Sequence, residues 1–340
     1  MLKEPAAVAS SGNGSASTPA EQEAPVKEPA SAATTIAGPQ EAEPAPKPVP
    51  WPTFLENAKT SAIKDRFATE VGGILKRHNL DNRCVLALFE PEDNIDSFDL
   101  DQIFGALSET NADRSKDVLL LLLSRGGSIE AAYQISKLCR SFANKRFIAV
   151  VPRYAKSAAT LIAIGADEIH IGPLGELGPI DPQLGGLPAL GVSQALQTIA
   201  AVSQRYPGSA EMFARYLRLA LTVEQIGYCD RISESAVQYA VRLLSTKPKL
   251  PRQKAEVAAR ELVHEYKDHG FVIDLEEAQM HPGADWITTG TPELAAAEEI
   301  YSHFDTVNWF LGQRPHKRRL LMTGGAAMPT SVMVFTVRDD

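Results

Sequence analysis

A largely parallel α/β sheet with crossover helices is the fold this sequence predicts, and three observations predict it. Apolar runs of strand length, Cys84–Phe89, Val118–Leu123, Phe147–Val151 and the shorter Glu168–Ile171, recur about every 20 to 35 residues, the spacing of βαβ units. The first three are apolar along almost their whole length, as buried strands require. Between the second and third, Ile129, Ala132, Ile135, Cys139 and Phe142 step by three or four along one helix face, and Ser128 stands ready to cap the first turn. Such a helix joins parallel strands by a right-handed crossover.

Taken in order, residues 1–50 hold 9 of the 23 prolines and 12 alanines with no aromatic residue, so the segment reads as a disordered Ala/Pro/Glu-rich tail. The folded part starts at Trp51, with a helix over Ile63 to His78 before the first strand. After Asp181 the pattern turns helical, with helices expected over Ser193–Arg205, Ser209–Leu221, Ser233–Leu244 and Arg252–His269. A last helix opens at Thr291-Pro292-Glu293, a cap followed by proline, and carries Leu294, Ala297, Tyr301, Phe304, Asn308 and Leu311 on one stripe, for packing or for a subunit contact. The expected organisation is a domain over 51–313, with a sheet core at 83–186 and a mainly helical part at 187–313, followed by a C-terminal tail over 314–340.

Thirty-four basic residues against 42 acidic ones leave a formal charge of −8, which argues against electrostatic nucleic-acid binding. Cys84, Cys139 and Cys229 are far apart and lack metal-ligand spacing, so they read as idle thiols in a reducing compartment. The N-terminus has no apolar signal run and no window matches a membrane span. A soluble, cytoplasmic protein without metal is the expectation.

Two strand-to-helix corners carry the chemistry. At Leu123-Ser124-Arg125-Gly126-Gly127-Ser128 a buried strand ends in two glycines and a helix cap, leaving backbone amides free to bind an anion or oxyanion; a plain tight turn is the alternative. About thirty residues on, Val150 to Ala163 repeats the move, and Ser157 heads a helix of small and apolar residues. That serine can be a nucleophile or simply a cap. Adjacent parallel strands would bring both corners to one carboxyl edge of the sheet, where open α/β folds place their sites.

Gly126-Gly127-Ser128, Ala155-Lys156-Ser157-Ala158-Ala159-Thr160, Gly165-Ala166-Asp167-Glu168-Ile169 and Leu177-Gly178-Pro179-Ile180-Asp181-Pro182-Gln183 resemble the serine dehydrogenase proteinase family of the Clp protease/crotonase superfamily. The resemblance runs from about Arg83 to Trp286, and Leu177–Gln183 is its most specific part. It implies a spiral of ββα units, a Ser157 nucleophile and peptide hydrolysis through an acyl-enzyme. The implied oxyanion hole uses the Gly126 or Gly127 amide with that of Ala158, and no cofactor is implied. Relatives assemble into rings or stacks, so a homo-oligomer acting on peptides or unfolded protein is expected. Where Clp-type proteases carry a histidine in an Ile-His-Gln-Pro-Leu-Gly-Gly stretch, this chain has Ile180-Asp181-Pro182-Gln183-Leu184-Gly185-Gly186.

A base must then come from elsewhere. His269 falls on the face of Leu262 and Tyr266 if the helix runs to Gly270, and the negative end of that helix would favour an imidazolium. Lys267 is a rival, since related signal-peptide peptidases use a serine-lysine dyad, but it lies about 140° away from Leu262 and faces solvent. Lys156 points away from Ser157, and Asp181 either orients the base or caps a turn. His170 reads as a core or edge residue, His264 and Asp268 as a surface pair, and Arg314 to Arg319 as a solvated basic run. Two other functions stay open: a catalytically silent peptide-binding or scaffolding module, which the missing histidine favours, and acyl-CoA chemistry, which the Ser157 segment disfavours.

Overall fold

The computed structural model describes residues 49–184, 187–281, 284–313 and 318–336. Most of the expected N-terminal tail, residues 1–48, lies outside them. The first elements are α1 (Trp51–Leu55), α2 (Thr60–Arg77), β1 (Cys84–Glu90), α3 (Ser97–Thr110), β2 (Val118–Ser124), α4 (Ile129–Phe142), β3 (Phe147–Val151), β4 (Tyr154–Ala155) and α5 (Ala158–Ile164). Then come β5 (Glu168–Ile171), β6 (Glu176–Leu177), β7 (Gln183–Leu184), β8 (Leu187–Pro188), α6 (Ala189–Arg205), α7 (Ala210–Ala220), α8 (Val223–Leu244) and α9 (Arg252–Arg260). The last are α10 (Leu275–Met280), β9 (Ile287–Thr288), α11 (Pro292–Gly312), β10 (Arg318–Gly325) and β11 (Val332–Thr336).

The main sheet runs β11-β10-β1-β2-β3-β5-β9, with β1, β2, β3, β5 and β9 mutually parallel, as the spacing of apolar runs predicts. At the carboxyl end of β2 the sheet branches: Ser124 pairs with Ala155 of β4, and β4 pairs with β6. Two strands, β3 and β5, are each followed by a short one, β4 and β6, which gives this part of the α/β fold its ββα character.

The apolar runs are continuous because both faces of the sheet are covered. One set of alternate side chains, Leu86, Leu88, Leu120, Leu122, Ala149 and Val151, packs in a core with α3, α4, α5 and α8. The other, Ala87, Phe89, Leu119, Leu121, Ile148 and Val150, packs with α2 and α11. Phe304 of α11 meets Phe89 edge-on at 5.2 Å between ring centroids. Ser128 and Thr291 cap α4 and α11 as expected, accepting from the amides of Ala131 and Leu294 at 3.1 and 3.2 Å. Each such cap stabilises its helix by about 1 kcal/mol.

Three expectations need correction. Within the tail expected over 314–340, the described residues Arg318–Gly325 and Val332–Thr336 are sheet strands, and β10 lies antiparallel beside β1 with Leu86 opposite Gly325. The sheet core is therefore not confined to 83–186. Second, the apolar stripe of α11 is no subunit contact, because Leu294, Ala297, Phe304 and Leu311 are buried against the sheet. Third, the helix expected over Arg252–His269 stops being an α-helix after Arg260, continues as one π-type turn over Glu261–Glu265 and turns extended at Tyr266. The expected His264–Asp268 pair is lost with it; His264 Nε2 lies 3.5 Å from Glu234 instead.

Two of the buried ionisable groups, Glu90 and Lys247, are held far from their ordinary protonation range. Glu90, at the end of β1, accepts from Thr323 Oγ1 at 2.7 Å, while its second oxygen and Asp99 Oδ1 are buried without a donor among the described residues. Burial and the adjacent Asp99 carboxyl push the Glu90 carboxyl up to about 9. A proton on Glu90 supplies the missing donor. Lys247 donates to the Ala166 carbonyl and lies 4.1 Å from the centre of the Trp286 ring; burial brings its amine down to about 7. No helix among the described residues is long and apolar enough to cross a membrane.

Candidate active site

The pairing of β2 with β4 places the two corners side by side. Lys156 donates its amide to the Ser124 carbonyl at 3.0 Å, so the chain before Ser157 is stitched to the chain before Gly126. Gly126 has φ +114°, and a Cβ there would stand 2.8 Å from Ser157 Cβ and 3.0 Å from the Ala158 nitrogen. Gly127 has φ +152°, and a Cβ there would stand 2.4 Å from the backbone N and O of Ile95. Both glycines are required by close backbone approach as well as by φ. The segment is fixed from outside by Ile95, which donates to the Gly126 carbonyl at 2.9 Å and accepts from the Ser128 amide at 2.8 Å.

Ser157 has φ 51° and ψ −116°, a conformation that costs a non-glycine residue about 1–3 kcal/mol. It does not cap α5, so the plain capping reading fails. Its side chain makes no hydrogen bond to the described residues, and 9% of the residue is exposed. The Gly126 amide donates to Ser124 Oγ at 3.1 Å and is spoken for. The amides of Gly127 and Ala158 have no acceptor among the described residues. Of the two glycines predicted as oxyanion donors, Gly127 is the one with a free N–H, whereas Gly126 makes room for Ser157.

The carbonyl edge opposite is held by α5. Buried Thr160 Oγ1 lies 2.6 Å from the Ala155 carbonyl and 2.8 Å from that of Gly178, and accepts the Gly178 amide at 3.1 Å. That anchors the stretch leading to Asp181. Asp181 is 4% exposed, accepts weakly from the Leu190 amide at 3.3 Å, and stands 3.8 Å from His269 Nδ1. His269 Nδ1 is buried and has no hydrogen-bond partner among the described residues. His269 and Asp181, picked separately from the sequence, are thus neighbours.

The surroundings of His269 differ, however, from the helix end that the sequence predicts. It lies not in the last turn of a helix but in a tight turn closed by the Phe271 amide on the Asp268 carbonyl at 3.0 Å, so no helix end acts on it. Among the described residues no hydrogen bond joins His269 to Ser157. Lys267 is exposed, as expected. Lys156 points away from Ser157, and its ammonium contacts Glu176 Oε1 at 3.0 Å and the carbonyls of Leu177 and Phe271 at 3.2 and 3.3 Å. Ser124, Thr160 and these contacts of Lys156 were not legible in the sequence, since each depends on strands meeting from distant parts of the chain. His170 is buried between Glu168 and Thr291, a structural position.

Comparison with known proteins finds that residues 92–205 match the family model of ClpP-like SDH-type serine proteinases. Two uncharacterised proteins of Methanocaldococcus jannaschii are similar, one 29% identical over 192 residues, 56% of this chain, and one 34% identical over 97 residues, 28% of it. The aligned stretches span 60% and 32% of those two relatives. Among solved structures, a membrane-bound stomatin-specific protease aligns over 67% of this chain and 86% of its own at 15% identity and a TM-score of 0.39. ClpP1 from Listeria monocytogenes aligns over 65% and 99% at 14% identity and 0.37.

Proposed function

We propose, on the match of residues 92–205 to the ClpP-like SDH-type serine proteinases, that this protein hydrolyses peptide bonds through a Ser157 acyl-enzyme. One observation carries the reading: Ser157 is held in a strained backbone conformation with an uncommitted hydroxyl, against a glycine corner whose Gly127 amide is open. In the proposed cycle Ser157 Oγ attacks the substrate carbonyl carbon while His269 takes the hydroxyl proton. The carbonyl oxygen becomes an oxyanion on the Gly127 and Ala158 amides. His269 returns the proton to the leaving amine, and water then cleaves the ester with the same base.

Asp181, facing His269 Nδ1, orients the ring and leaves Nε2 for the serine. The Ser157–His269 hydrogen bond forms when substrate closes the site, as catalytic bonds often tighten only in the complex. Peptides or unfolded segments are the proposed substrates, and the proposed organisation is a homo-oligomer. Its support is α7, whose Met212, Tyr216 and Leu219 are exposed by 60%, 69% and 86%. A cytoplasmic location is proposed on three buried, unpaired thiols.

Fluorophosphonate labelling with mass-spectrometric location of the adduct tests the reading. A Ser157 adduct, absent in Ser157→Ala, is expected; folded protein that stays unlabelled overturns it. The missing Ser157–His269 bond favours a second reading, a silent peptide-binding module, and peptide binding without labelling would select it.

A further inference from the structure

Lys156 precedes the proposed nucleophile, yet its side chain is directed into a different structure. Its three ammonium hydrogens face three acceptors: the Glu176 carboxylate at 3.0 Å, the Leu177 carbonyl at 3.2 Å and the Phe271 carbonyl at 3.3 Å. All three donors are used, so this amine is not poised as a base for its neighbour. Glu176 and Leu177 belong to β6, whose partner β4 contains Tyr154 and Ala155. Phe271 does not belong to the sheet at all. It stands two residues beyond His269, in the turn that the Asp268 carbonyl closes.

The rest of the surroundings are built for this contact. Leu177 and Ile273 exchange both backbone hydrogen bonds, at 2.8 and 3.1 Å, bringing the far side of the His269 turn to β6. Gly178 has no side chain where one would collide with Lys156: a Cβ there would stand 2.5 Å from Lys156 Cδ. The lysine stem is therefore packed in a slot and only 16% of the side chain is exposed.

We infer that Lys156 is a positioning residue that ties the Ser157 corner to the His269 turn, so that nucleophile and base are located from one backbone joint. The inference rests on the Ser157–His269 reading above. On this account the amine acts through His269 and touches neither substrate nor the reacting atoms.

Lys156→Met keeps the length of the stem and removes the donors. Its kcat for a peptide is expected to fall about 10- to 100-fold with KM within about twofold, and the same substitution on a His269→Ala background is expected to cost less than about twofold more. Lys156→Arg, which keeps a cation with several donors, should recover part of the loss. Independently of activity, hydrogen exchange at the amides of Phe271 and Ile273 should quicken by about tenfold or more in Lys156→Met while the β1–β3 amides keep their protection. Losses that multiply in the double variant, or unchanged exchange at Phe271 and Ile273, overturn the inference. If the parent protein is not labelled at Ser157, the functional reading fails, and the exchange measurement alone still decides whether the tie exists. If Lys156→Met does not fold, Lys156→Arg in the same measurements decides: parent-like exchange with restored kcat supports the tie, and multiplicative loss with His269→Ala overturns it.

Discussion

Gly126 lies so near Ser157 that the two positions cannot be changed independently. A methyl group there would meet Ser157 Cβ at 2.8 Å and two backbone atoms, the Lys156 oxygen and the Ala158 nitrogen, at 2.9 and 3.0 Å. None of these is the loose end of a flexible side chain. Gly126→Ala is expected to destabilise the fold by about 1–3 kcal/mol and to slow fluorophosphonate labelling at least about tenfold. Gly208→Ala, with nothing within 4 Å of the added carbon, should leave both unchanged. A Gly126→Ala protein that labels at the parent rate would sever the glycine corner from the chemistry. At this scale the sequence is most readable where a residue answers a local demand: Gly126 and Gly127 stand out because few residues tolerate those angles, and Ser157 because it heads a helix of small and apolar residues. Lys156 is unreadable because a long side chain can be tied to any acceptor within reach, and its acceptors come from β6 and the turn after His269.

Helices show the same division. The pattern over Arg252–His269 is helical in period, yet the ladder fails inside it because the Leu262 carbonyl is taken by the Ile180 amide at 2.8 Å. A tertiary hydrogen bond competes there with the helix, the backbone widens into a π-type turn, and Tyr266 leaves with its hydroxyl bound to Glu277 at 2.8 Å. Periodicity cannot reveal a competitor eighty residues upstream. β10 escaped notice for a different reason: Arg318 and Arg319 open it, so its start reads as a solvated basic run although Leu320, Leu321 and Met322 are buried. α7 presents Met212, Tyr216 and Leu219 to solvent with no residue of its own buried. A patch of that kind marks a contact surface. Leu219→Glu is expected to lower the mass found by light scattering from an oligomer to a monomer without loss of melting temperature; a monomeric parent protein would remove α7 from that role.

For the molecule as a whole, proton uptake on folding has opposite signs at two buried groups, Glu90 and Lys247. Glu90 keeps its proton up to about 9 in the fold against about 4.5 in the unfolded chain, so over that range the native state binds more protons and stability falls as pH rises. Lys247, brought down to about 7, works the other way, adding stability as pH rises from there towards 10.5. Between about pH 5 and 7 only the Glu90 contribution of this pair operates, so Glu90→Gln should flatten the decline of melting temperature across that window; parallel curves for the two proteins would refute this. The parallel centre of the sheet was legible from four apolar runs, whereas its closure by the antiparallel β10 and β11 was not. That closure sets the order of assembly. Leu86 of β1 waits for Gly325, more than two hundred residues later in synthesis, and until then one edge of the central sheet has no partner. Synthesis must therefore pass β10 before the β1 edge is paired, and a nascent chain truncated before Arg318 carries an open, adhesive edge into the cell.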